Sequence, residues 1–175
     1  MNEPVDQLGR AQADPAPIIR SLVEHGVRFL LAGGMAVQAH GYVRITLDVD
    51  IVPSPDQANM IRLAAALTEM DAAAVDDRGN RLPLDLSHPE SLALGNYFLV
   101  TRHGALDLFN GSRPDLKRFR SLDDASLEIT FDGLRVRVIG KDDLIAMKRE
   151  AGRPQDLEDI AALTEAERRR DELRD

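Results

Sequence analysis

The chain has 175 residues, 43% of them hydrophobic and 30% charged, which is the composition of one globular domain rather than of a disordered or fibrous chain. A net charge of −8 argues against a broad nonspecific nucleic-acid surface, and the absence of cysteine excludes disulfides, thiolate zinc sites and cysteine nucleophiles. No apolar run approaches the length of a membrane span and no charged-then-apolar signal opens the chain, so a cytoplasmic protein with no membrane partner is expected.

Residues 1–13 are polar and aperiodic and read as a flexible leader; residues 14–175 read as a single domain ending in two helices. Asp14 then has the chemistry of an N-cap, with Pro15 at the first helical position and Gly26 as the stop. Residues 27–32 form an apolar strand that ends at Gly33-Gly34, and residues 35–40 a short helix. An acidic strand follows over 46–52. Ser54-Pro55 predicts the cap of a helix reaching about Met70. Two short strands are expected near 72–75 and 82–84, and Ser87-His88-Pro89-Glu90 has capping-box spacing. A hairpin over 97–101 and 105–109 turns at His103-Gly104, and another over 127–131 and 134–139 turns at Asp132-Gly133. The closing helices run over about 142–150 and 154–172, broken by Gly152-Arg153-Pro154. Strands mixed with helices predict an α/β (α+β) domain, a mixed sheet with helices mainly on the face opposite the carboxylates.

The acidic strand carries the chemistry. Side chains alternate between faces, so Leu47, Val49 and Ile51 enter a core while Thr46, Asp48 and Asp50 share the other face. Two carboxylates side by side repel unless a cation or proton lies between them. Mg²⁺, or Mn²⁺ in its place, prefers such oxygen ligands. The glycines before the strand let backbone approach a phosphate, so the amides of Gly33 and Gly34 are candidates to cradle one. Phosphoryl transfer usually recruits a third carboxylate, for which Asp107, in the apolar strand Ala105-Leu106-Asp107-Leu108-Phe109, is the candidate; otherwise it is an exposed-face aspartate. In a two-metal arrangement Asp48 and Asp50 would hold the nucleotide-side ion and Asp107 would share the second and activate a hydroxyl.

Other cations are less decided. Arg44 could grip a phosphate bidentately or pair with a surface carboxylate, and Thr46 is placed to orient Asp48. Lys148 suits a triphosphate, with Arg153 close behind it. Asp156 and Asp159 lie three apart on one helix face, and Asp159 could anchor Lys148 or Arg153. Without a ligand the same residues make an interhelical salt bridge. The basic cluster of Arg113, Lys117, Arg118 and Arg120 and the run Arg168-Arg169-Arg170 read as solvated helix faces.

The segment Leu31-Ala32-Gly33-Gly34-Met35-Ala36-Val37-Gln38-Ala39-His40-Gly41-Tyr42-Val43-Arg44-Ile45-Thr46-Leu47-Asp48-Val49-Asp50 resembles the nucleotidyltransferase superfamily that includes DNA polymerase beta, and within it the AbiEii-type toxin branch. Asp143-Leu144-Ile145-Ala146-Met147-Lys148 and Arg153-Pro154-Gln155-Asp156-Leu157-Glu158-Asp159-Ile160 are similar to that branch's lysine and aspartate motifs. The resemblance spans residues 27–162. It implies a polymerase beta-like fold and Mg²⁺-dependent transfer of a nucleotide from an NTP to a tRNA end or a protein hydroxyl. It also implies a toxin held by a cognate antitoxin. Longer members carry a large carboxy-terminal domain for substrate, so the acceptor is left open. The alternative is a module of the same fold that binds nucleotide or a partner without efficient catalysis.

Overall fold

In a computed structural model, residues 5–76, 78–111 and 115–172 are described. Helix α1 (Pro15–Glu24) starts at Asp14, whose side chain accepts from the Ala16 amide at 3.3 Å. Strand β1 (Phe29–Leu31) and helix α2 (Gly33–Ala39) precede the acidic strand β2 (Asp48–Pro53). Helix α3 (Gln57–Glu69) begins later than Ser54-Pro55 suggests. Asp56 is its cap, accepting from the Asn59 amide at 3.0 Å, and Ser54 Oγ donates to Asp56 at 2.7 Å. Strands β3 (Ala73–Val75) and β4 (Arg81–Leu82) follow, then a 3-10 turn over Pro89–Ala93. The capping box is not formed, because the Ser87 hydroxyl is bound to Asp85 instead. Strands β5 (Tyr97–Thr101) and β6 (Gly104–Leu108) make the first expected hairpin, and β7 (Leu127–Phe131) and β8 (Leu134–Val138) the second.

Between the hairpins lies a helix the sequence reading did not name, α4 (Leu116–Asp124), capped by Asp115, which accepts from the Arg118 amide at 2.9 Å. Lys117, Arg118 and Arg120 stand on it; Arg113 falls outside the described residues, and so do the side chains of Arg169 and Arg170. Helices α5 (Lys141–Ala151) and α6 (Pro154–Glu172) close the chain. No helix among the described residues is long and apolar enough to cross a membrane.

The strands form one eight-stranded mixed sheet in the order β4-β3-β5-β6-β2-β1-β8-β7. At its centre β2 pairs antiparallel with β1 and parallel with β6. Val49, Ile51, Leu106 and Leu108 are fully buried and join Ile18, Leu22, Leu63 and Leu67 of α1 and α3 in the main core. Burying such side chains stabilises by about 1.5–3 kcal/mol each, and their alternation fixes which face is left for the aspartates.

Residues 5–13 make local hydrogen bonds, while residues 1–4 lie outside the described residues. Asp6 caps a tight turn, accepting from the amides of Leu8 (2.9 Å) and Arg10 (2.8 Å), and Val5 bridges to Ala11. Such local side-chain-to-backbone bonds leave no hydrophobic period to read in a sequence.

Candidate active site

Pleating turns Val49 and Ile51 of β2 into the core and leaves Asp48 and Asp50 side by side on the other face. The parallel register with β6 sets Asp107 directly opposite Asp50. One carboxylate oxygen from each of Asp48, Asp50 and Asp107 lies within 4.8 Å of the other two. Asp50 is 7% exposed and Asp107 4%, with Asp48 half-buried. Burial, then the charges of Asp48 and Asp107, push the Asp50 carboxyl well above its ordinary value, against a hydrogen bond from the Gly34 amide. Burial also pushes Asp107 up to about 6, although Arg10 acts to lower it. Three crowded carboxylates with all-oxygen donors fit a hard divalent cation.

The two glycines are needed for close approach. Gly33 has a left-handed φ of 52°, and a Cβ there would stand 1.6 Å from Asp50 Oδ2; one at Gly34 would stand 2.4 Å from Thr46 Oγ1. The Gly34 amide is therefore occupied by the Asp50 carboxylate. Thr46 Oγ1 donates to Asp48 Oδ1 at 3.0 Å.

A second cluster stands beside the first. Arg44 donates to both oxygens of Asp159, at 2.8 and 3.0 Å, and to the Ile45 carbonyl at 2.9 Å. Lys148, 5% exposed, reaches Asp156 at 3.0 Å and Asp159 at 2.7 Å. Burial works to raise the Asp156 carboxyl, but bonds from Arg153 and Lys148 outweigh it and hold it below its ordinary value. For Asp159, bonds from Arg44 and Lys148 outweigh burial in the same direction. Arg153 bonds Asp156 at 2.7 Å, and its mostly exposed guanidinium also feels the charges of Asp50 and Asp48. Arg44 thus meets a fully buried carboxylate rather than a surface one, and Lys148 forms the interhelical pair. Arg153 is the most solvent-accessible of these three cations.

A cavity of about 290 Å³ opens between the clusters, lined by Gly33, Asp50, Phe109, Phe119, Met147 and Arg153 among others. Its size is at the small end for ligand sites, which run to roughly 300–1,000 Å³.

One contact at the site escaped sequence reading. Arg10 donates to both oxygens of Asp107 and, at 2.6 Å, to Asp6. The only trace of it in the sequence is the Asp6/Arg10 spacing, which is too common to single out.

The fold recurs in solved structures. The lincomycin-bound lincosamide antibiotic adenylyltransferase LnuA superposes with a TM-score of 0.57 at 16% identity, covering 87% of this chain and 98% of that one. The fold is that of the nucleotidyltransferases. ANT(2")-Ia in complex with adenylyl-2"-tobramycin gives 0.54 at 14% identity, over 85% of this chain and 84% of that one. An antigenic nucleotidyltransferase-like protein of Paracoccidioides brasiliensis gives 0.50 at 16% identity, over 87% and 77%. No protein-family model and no curated protein sequence matches this chain.

Proposed function

We propose that this nucleotidyltransferase-fold protein transfers NMP from an NTP to a hydroxyl at an RNA end or on a protein, as the toxin of a toxin–antitoxin pair of the AbiEii type. The observation that carries the transferase reading is the convergence of Asp48, Asp50 and Asp107 within 4.8 Å on neighbouring strands. The choice of branch rests on the motif resemblance over residues 31–50 and 143–160. The antibiotic acceptors of LnuA and ANT(2")-Ia make a small hydroxyl compound the competing acceptor class.

Asp48, Asp50 and Asp107 would hold Mg²⁺ or Mn²⁺, which when bound supplies Lewis-acid stabilisation of the charge developing on the phosphoryl oxygens. Thr46 fixes the rotamer of Asp48. The Gly33–Gly34 turn, with no side chains of its own, lets Asp50 and Thr46 pack against the backbone where the triphosphate would lie. Arg153 turns positive charge toward the same place, and Lys148 forms part of the cavity wall behind it. The acceptor oxygen bonds to the α-phosphorus, the bond to pyrophosphate breaks, and Asp107 takes the hydroxyl proton.

Incubating the protein with each labelled NTP, Mg²⁺ and total tRNA or lysate tests this. Label on RNA or protein, lost in Asp48→Asn, is expected. NTP binding with no label on any acceptor would leave a binding module in its place, and label on an added antibiotic alone would move the acceptor to small molecules.

A further inference from the structure

The segment before α1 crosses the sheet on its acidic side. The Ala13 amide donates to the Leu47 carbonyl at 2.9 Å just before β2, and the Asp14 amide donates to the His103 carbonyl at 2.8 Å in the β5–β6 turn. Gly104 leaves room for it: a Cβ there would lie 2.5 Å from Ala13 Cα. Arg10 reaches inward from this strap and is 5% exposed. Its Nη1 donates to the Leu99 carbonyl of β5 at 2.9 Å, and its two Nη atoms take the two oxygens of Asp107. The guanidinium lies 5.9 Å from the ring centre of Phe98, the residue opposite Asp107 in the β5–β6 register.

A guanidinium that donates to acceptors on two strands and to Asp6 is not a mobile surface charge. Displacing it would strand a buried cation and several buried acceptors. It therefore stays beside the carboxylates whether or not a divalent ion is present. We propose that Arg10 is a positioning residue, the resident counter-cation of the carboxylate site. It holds Asp107 in place before any metal arrives and keeps the free protein's affinity for divalent ions low, so that the site fills together with the nucleotide rather than ahead of it. The proposal rests on the metal-binding reading of the triad given above.

The physical basis is charge. Three carboxylates within 4.8 Å repel one another, and a cation bonded to one of them offsets part of that repulsion. The same positive charge repels an incoming dication. A nucleotide changes the balance, because its phosphates bring negative charge and further oxygen ligands.

Calorimetric Mg²⁺ titration of the free protein, with thermal melts, tests this on Arg10→Gln and Arg10→Lys. For Arg10→Gln the metal-free melting temperature should fall while Mg²⁺ affinity rises about tenfold or more. Arg10→Lys, which keeps the charge, should bind Mg²⁺ within about threefold of wild type. A saturating non-hydrolysable NTP should narrow the gap between Arg10→Gln and wild type. If Arg10 only pins the strap, both variants melt earlier and Mg²⁺ affinity is unchanged or weaker, which overturns the proposal. Should Arg10→Gln be unfolded without metal, Mg²⁺-driven refolding followed by circular dichroism replaces the titration. A refolding midpoint below the wild-type Kd is then expected, and no refolding at concentrations that saturate wild type overturns the idea. Wild-type protein that binds no Mg²⁺ even with nucleotide would instead defeat the metal reading itself, a result distinct from equal affinities in variant and wild type.

Discussion

At the scale of single residues, the carboxylates of the site titrate in opposite directions from those of the helix network. Asp50 and Asp107 hold protons more tightly in the folded chain than the ordinary value of 3.8 allows, Asp107 up to about 6. The stability Asp107 contributes is fully present below about 3.8 and is lost as pH rises through about 6, and Asp50 acts in the same direction. Metal-free protein should therefore gain roughly 1–3 kcal/mol in stability on going from pH 7.5 to pH 5, and Asp107→Asn should flatten that rise. Asp156 and Asp159 are held low, so their contribution is present above 3.8 and fails only in stronger acid. Denaturant melts at several pH values, with chelator present, check the window; an equal slope in Asp107→Asn would refute the assignment. The aspartates were legible as chemistry because alternation puts them on one face. Their burial was not, since it depends on what packs over that face.

Among the elements, the β2 strand and the turn into α2 are one unit. Gly33→Ala would place a methyl group 1.6 Å from Asp50 Oδ2 at a φ of 52°. The variant should lose about 1–3 kcal/mol of stability and bind Mg²⁺ more weakly, because the carboxylate must move. Calorimetry and a thermal melt on the variant measure both; wild-type Mg²⁺ affinity would show that Asp50 need not sit against this turn. Hairpins with clear turn dipeptides were readable in the sequence. Helix α4 was not, because it buries only Phe119 and Leu122 among nine mostly charged residues, so the segment stood out for its charge and not as a core-forming element. The 3-10 turn at Pro89–Ala93 likewise lacks the cap its sequence suggests, because Ser87 found Asp85 first.

For the whole molecule, the ion-pair network of Arg44, Lys148, Arg153, Asp156 and Asp159 ties the loop before β2 to α5 and α6. Lys148 is its buried centre. Lys148→Ala leaves two buried carboxylates short of a partner and should cost about 3–5 kcal/mol. If Lys148 also reaches the triphosphate, NTP affinity falls too, by about 1–3 kcal/mol. Urea unfolding and NTP titration on the one variant separate the two effects, and unchanged stability would show that the network does not hold the helices.

Much of this protein is written locally. The order of elements, the acidic strand with its alternating faces, the glycine turn before it and the helix break at Gly152-Arg153-Pro154 follow from periodicity and backbone preference, which act over a few residues. Which carboxylate joins Asp48 and Asp50 was a choice the sequence could only propose. The parallel pairing of β2 with β6, between residues 57 apart in the chain, brings Asp107 opposite Asp50. The same holds for Arg10 and Asp107, separated by 97 residues, and for Arg44 and Asp159, separated by 115. Such contacts leave no period in the chain, because they are selected by the packing of distant elements and by the cost of burying a charge without a partner.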